Sequence, residues 1–167
     1  MDEIVSFGMR LIRSLLVSAL LVAFASPAFA DATVFIGTTT TPSNRPAKGF
    51  SIGAGFLVVA FEFEYANTSD DLTDAAPSLW TGMGNVLLQT PFAIHGFQPY
   101  FTTGGGVFHE ELGPQSETSF GANTGGGVKI SLAGPIRARV DYRLFRLKGE
   151  PLYETVHRVY AGLNIKF

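Results

Sequence analysis

The stretch from Pro135 to Lys148 alternates without a break. Ile136, Ala138, Val140, Tyr142 and Leu144 fall on one face; Arg137, Arg139, Asp141 and Arg143 fall on the other. Successive residues of a strand point to opposite sides of a sheet, so a period of two puts the charge on one surface and the apolar bulk on the other. The same period runs through Ala60–Asn67, where Phe61, Phe63 and Tyr65 oppose Glu62 and Glu64. It recurs where Phe120, Ala122, Thr124, Gly126, Val128 and Ile130 oppose Ser119, Asn123 and Lys129. At the C-terminus, Val159, Ala161, Leu163, Ile165 and Phe167 are apolar at every second position, against Arg158, Tyr160, Asn164 and Lys166. The chain is therefore built of strands.

Divided at its turn signals, it predicts eight strands near 32–39, 48–56, 59–67, 78–90, 97–109, 118–131, 135–148 and 154–167. The first two look short. Four connections are longer and polar: Thr40–Pro46, Ser69–Pro77, Glu110–Glu117 and Gly149–Tyr153. Three are shorter: Leu57-Val58, Pro91–Gly96 and Ala133-Gly134. Long loops at one end and short turns at the other are the pattern of a barrel that crosses a membrane, with both termini on the short-turn, periplasmic side. The expected fold is all-β: an eight-stranded antiparallel up-and-down transmembrane β-barrel over 31–167, preceded by a cleaved signal peptide.

That signal occupies 1–30. Arg10 and Arg13 form its basic region, and Leu15–Ala25 is a run of small and apolar residues broken only by Ser18. Ala28 and Ala30 then place small side chains at −3 and −1 of a cut before Asp31. The apolar run is short of the ~20 residues that a spanning helix needs. Asp2 and Glu3 precede the basic region, which leaves two candidate starts, Met1 and Met9.

Composition limits the remainder. There is no cysteine, so no disulfide framework is available to a small exported domain. The net charge of −2 argues against nucleic acid as a partner. Nineteen glycines and fifteen phenylalanines make an unusual soluble core but suit a wall whose aromatics face lipid. Trp80, Phe56, Tyr65, Tyr100, Phe108, Tyr142, Tyr153 and Phe167 are candidates for the interfacial girdles.

Three stretches carry a family resemblance: Phe97-Gln98-Pro99-Tyr100 leading into Gly104-Gly105-Gly106, Phe120–Lys129 with its Gly125-Gly126-Gly127, and Arg137–Arg143. With the signal and the terminal Phe167, the chain resembles the outer-membrane β-barrels that include OmpA-like transmembrane domains and opacity-type porin-like surface proteins. The first strand departs from that family, its aromatic content reduced to Val34-Phe35-Ile36. The resemblance implies that Val159, Ala161, Leu163, Ile165 and Phe167 form a C-terminal insertion signal read by the barrel-assembly machinery. It also implies a surrounding of outer-membrane lipid and lipopolysaccharide in a Gram-negative envelope. No peptidoglycan-binding domain is expected after Phe167.

Side chains largely fill the interior of an eight-stranded barrel. Inward charges must then find partners, because an unpaired buried charge is expensive. Strands three and seven lie opposite each other in such a ring. This predicts a lumen ion-pair network of Glu62 and Glu64 with Arg137, Arg139, Asp141 and Arg143, to which Lys129, Arg158 and Lys166 add positive charge. Filled small barrels favour a structural plug; the alternative is a gate that switches partners to admit ions.

Catalytic chemistry finds little footing. A lipid-modifying barrel needs a nucleophile, a base and an orienting acid in reach of one another. His157 follows Glu154 but is followed by Arg158 and Val159, so the serine that a deacylase places two positions on is missing. His95 and His109 sit in a turn and near a loop. Asp70, Asp71 and Asp74 lack the ligand spacing of a calcium loop. The glycine triplets open no helix and read as places of close packing or bending. No cofactor and no metal is expected. The first functional expectation is a non-enzymatic barrel with a structural or surface-interaction role, its loops open to a ligand that the sequence does not identify. A narrow porin-like ion channel and a lipid-A-modifying enzyme are the alternatives.

Overall fold

The computed structural model describes Phe29–Phe167. Ala28 and the rest of the expected signal peptide before it lie outside the described residues.

Eight antiparallel strands close into a ring in sequence order: β1 (Phe29–Thr39), β2 (Arg45–Phe56), β3 (Val59–Thr68), β4 (Ser78–Gln89), β5 (Phe97–Leu112), β6 (Gln115–Ala133), β7 (Ile136–Leu147) and β8 (Thr155–Lys166). Closure comes from β1 and β8, paired from Asp31↔Lys166 to Thr39↔Arg158. Every strand thus has a neighbour on each side, and no sheet edge is left along the wall.

Two expectations need correction. The first two strands are not short, at 11 and 12 residues. Their small residues hide them: Gly37, Gly49, Gly53 and Gly55 interrupt the alternation without interrupting the ladder. The expected third loop is largely strand. β5 and β6 continue past the neighbouring strands to 16 and 19 residues and join through Gly113-Pro114 alone. Gly113 has φ +59°, a left-handed conformation open to glycine at little steric cost. The polar composition that suggests a loop belongs to a projecting hairpin, Glu110↔Glu117 and Glu111↔Ser116.

Burial is inverted relative to a soluble domain. Outward positions carry Ile36, Phe61, Leu88, Phe101, Phe120 and Leu163, each more than half exposed. Inward positions carry buried Arg, Lys, Glu, Asp and Asn. Such a surface suits hydrocarbon rather than water. Across β2, β3 and β4, Phe50 stacks on Tyr65 at a centroid distance of 5.5 Å, and Tyr65 meets Trp80 edge-on at 5.6 Å. Tyr100 and Phe108, expected in the girdles, instead point into the lumen and are buried. Tyr100 occupies the same inward parity as Gln98 and Thr102.

Inside, glycines set how closely the wall packs. Gly106 faces inward beside Met83, and a Cβ there would collide with the Gly82 carbonyl. Close strand approach at this point lets the wall coil tightly.

Candidate functional site

The lumen holds side chains in layers. Nearest the short turns, Asp31 on β1 accepts hydrogen bonds from Lys129 Nζ at 2.6 Å and from Arg137 Nη2 at 3.1 Å. Arg137 also donates to Asn164 Oδ1 at 2.8 Å and to Gln98 Oε1 at 3.0 Å. One carboxylate and one guanidinium tie the neighbouring strands together at this level.

One layer higher, Arg139 crosses the lumen from β7 to β3. Its guanidinium pairs with both carboxylate oxygens of Glu62, Nη2–Oε1 at 3.1 Å, and its Nε donates to Asp141 Oδ2 at 2.6 Å. Tyr100 Oη donates to Asp141 and accepts from Arg139 Nε at 2.7 Å, and its ring lies 5.1 Å from the Arg139 Cζ. Ser51 Oγ donates to Glu62 at 3.0 Å. Arg143, further along the inward face of β7, reaches Glu62 at 3.0 Å, Glu64 at 3.3 Å and Asp141 at 3.1 Å. It also donates to Asn123 Oδ1 at 3.2 Å. Glu64 accepts from Tyr160 Oη at 2.6 Å.

Arg158 closes the polar region. Its nearest carboxylate oxygen is Glu64 Oε1, at 3.8 Å. It donates to Thr81 at 3.1 Å and to Thr68 and Thr39 at 3.5 Å, and its Cζ sits 4.6 Å from the centre of the Phe145 ring. Five cations (Lys129, Arg137, Arg139, Arg143, Arg158) meet four carboxylates (Asp31, Glu62, Glu64, Asp141). Arg158 has the longest ion pair of the five; hydroxyls and an aromatic face supplement it there.

Toward the long loops the lumen turns apolar. Leu79, Met83, Phe108, Phe145, Leu147 and Val156 form a buried cluster, with Tyr153 packed against it. Arg45, at the start of β2, then fastens two loops: it donates to Thr41 O at 2.6 Å, to Ser69 O at 3.4 Å and to Pro77 O.

No protein-family model and no curated protein sequence matches this chain. Solved structures do. The chain is similar to Neisserial surface protein A, NspA, with 15% identity, a TM-score of 0.64, and coverage of 84% of this chain and 96% of that one. It is similar to the N-terminal β-barrel domain of Pseudomonas aeruginosa OprF, at 15% identity and a TM-score of 0.63 over 83% and 97% of the two chains. It is also similar to the outer-membrane enzyme PagL, at 15% identity and a TM-score of 0.53 over 81% and 98%.

The fold is that of the eight-stranded outer-membrane β-barrels.

Within that barrel, all eight residues expected in the lumen network point inward and are buried. They divide into two groups. Glu62, Glu64, Arg139, Asp141, Arg143 and Arg158 form one connected set; Lys129 and Arg137 bind Asp31 instead. Lys166, expected to add charge, is exposed, with its Nζ 5.0 Å from the Phe29 ring. It is the last residue of β8, at the mouth, where its long chain can reach out to solvent. Sequence reasoning misses Asp31 as a lumen acid and takes it only as a cleavage position. Its parity with Thr33 and Phe35 is the available signal, since all three face inward. Tyr100 is missed because aromatic residues on strands read as lipid-facing; Tyr160 shares the inward parity of Arg158 and Asn164, but its uncharged side chain offers no ion pair to look for.

The histidines at positions 109 and 157 lie on the outer wall. His157 Nδ1 is 2.6 Å from Tyr142 Oη, and His109 Nδ1 is 2.7 Å from Thr118 Oγ1. Among the described residues, no carboxylate bonds to either ring. The C-terminal residues Val159, Leu163, Ile165 and Phe167 are exposed, the first three along one face of β8.

Proposed function

We propose that this chain is an outer-membrane protein whose filled barrel serves the envelope as a structural and surface-interaction element, without passing solutes and without catalysis. The observation that carries this reading is Arg139. A guanidinium with no exposed surface, hydrogen-bonded to β3 and to its own strand, blocks the middle of the lumen. Opening it would expose several charges that are now paired, at a cost of about 3–5 kcal/mol for each broken buried pair. The apolar cluster above it forms a second seal.

In this reading 1–30 is the signal peptide, removed before Asp31 after export to the periplasm. The face of Val159, Ala161, Leu163, Ile165 and Phe167 is the segment that the barrel-assembly machinery reads. Outer-membrane lipid and lipopolysaccharide surround the apolar wall, and the long-loop end faces outward. His109 and His157 each pair with a neutral hydroxyl on the outer wall rather than with an orienting acid, which supports a non-enzymatic role.

Planar-bilayer recording tests the seal: the refolded barrel produces no discrete conductance steps. Steps at modest voltage overturn the plug in favour of a narrow channel. Cold and boiled samples of the outer-membrane fraction on a mild SDS gel test the location, because a folded barrel migrates faster than its boiled form.

A further inference from the structure

The projecting hairpin leaves a piece of sheet edge uncovered. β6 pairs with β5 as far as Leu112↔Gln115, but its pairing with β7 begins only at Gly121↔Leu147. One further bond, Lys148 N to Phe120 O at 2.9 Å, marks the side to which even-numbered residues of β6 turn their peptide groups. Ser116 and Thr118 share that parity. Their N–H and C=O groups therefore point to the open side, and no backbone bond reaches them from it among the described residues. Both residues are exposed.

Beside this edge lies a cleft of about 340 Å³ between the hairpin and the segment after β7, lined in part by Glu110, Ser116, Glu117, Glu150 and Leu152. Among the described residues, no lysine or arginine lines it. Two of its carboxylates already brace its walls: Glu110 accepts from Leu152 N at 2.6 Å and Glu117 from Glu150 N at 3.4 Å.

We propose that this edge is a docking site for an extended, basic peptide segment of a partner protein, which adds as a strand beside Ser116 and Thr118. An unpaired edge offers main-chain bonds to any extended chain, and pockets beside it choose the side chains. Here the accessible carboxylates Glu117 and Glu150 choose lysine or arginine. The site's position outside the cell rests on the orientation proposed above, but its ability to bind does not. A failure of either is therefore seen separately.

The test uses the full barrel refolded in detergent micelles and a fluorescent eight-residue peptide of alternating lysine and valine, followed by anisotropy. A second peptide, N-methylated at every residue, keeps the charge but cannot donate main-chain bonds from either edge. Thr118→Pro removes the outward N–H; proline is tolerated on an edge, and the β5 ladder does not use that group. A cold-versus-boiled gel shift checks that this variant is folded. The parent peptide binds; N-methylation or T118P weakens it about tenfold, the size expected for one or two lost main-chain bonds. Glu117→Gln with Glu150→Gln weakens it further and flattens its salt dependence. Equal binding of the N-methylated peptide overturns the proposal, as does no binding of the parent. Dimerisation of the protein that T118P abolishes also overturns it, because the occupant is then a second copy of this chain.

Discussion

Arg139 on β7 and Glu62 on β3 meet across the lumen, although their strands share no backbone pairing. Each has a further partner, Asp141 for the arginine and Arg143 for the glutamate. Removing one member leaves the other buried without its main counter-charge. Arg139→Leu or Glu62→Arg therefore lowers unfolding stability by about 3–5 kcal/mol, since the surviving charge has no water to return to. The double reversal Glu62→Arg with Arg139→Glu restores part of the loss, not all, because the carboxylate introduced at position 139 would face Asp141. Urea unfolding in micelles measures each variant. A loss in the double reversal equal to the sum of the losses of Glu62→Arg and Arg139→Glu, each measured alone, means that the two residues are not energetically coupled.

Asp31 is the carboxylate of the lowest layer and also the first residue after the proposed signal cleavage. Phe29 and Ala30 precede that cut, yet both lie in β1, opposite Gly55 and Ala54. Cleavage before Asp31 removes these two pairs and keeps the acid that binds Lys129 and Arg137. The intact mass of the protein from outer membranes corresponds to a chain beginning at Asp31. Asp31→Asn keeps the same processing but lowers stability by about 1–3 kcal/mol, as it takes charge-assisted bonds from two cations at once. A mass that retains Phe29 and Ala30 shifts the cut to Ala28.

Much of this is legible in the sequence, because period two carries two facts at once: strand and side. Parity alone places Glu62, Arg139 and Arg143 inward, and the ring order puts β3 opposite β7. Parity does not say which inward cation takes which acid. Lys129 sits in register with Arg139, yet its partner is Asp31 on another strand. Distances across a lumen depend on stagger, which the strand pattern does not encode. The projecting hairpin is hidden for a different reason. Glu110–Glu117 is as polar as a loop, because it stands above the wall and meets water there. Tyr100 and Phe108 show the reverse case: a narrow lumen takes aromatic rings as filling, so aromatic character alone does not mark the lipid side.

Gly106 tests the packing of the wall. Its missing side chain lets β5 approach β4 so closely that a Cβ would overlap the Gly82 carbonyl. Backbone cannot rotate aside as a flexible side chain can. Gly106→Val therefore destabilises the barrel by about 1–3 kcal/mol or more, the cost of forced overpacking. Gly84→Val faces outward with only the Gly105 carbonyl within 4 Å and is far milder. Comparing the temperatures at which the two variants lose the cold-gel band separates local crowding from a general intolerance of β-branched residues.

In the proposed reading, the charged layer and the apolar cluster close the lumen in series. Phe145 belongs to the apolar cluster and also offers its ring face to Arg158. Phe145→Ala costs about 3–5 kcal/mol, as large-to-small changes in a packed interior do. It does not open the barrel, because the layer of Arg139, Arg143 and Glu62 beneath is untouched. Arg139→Ala alone breaches that layer but leaves the apolar cluster intact, and a dry apolar constriction still excludes ions. Only the combined variant, if held folded in the bilayer, gives discrete conductance steps. Conductance from Phe145→Ala alone means that the charged layer already passes ions and that the apolar cluster is the sole seal. Conductance from Arg139→Ala alone assigns that role to the guanidinium.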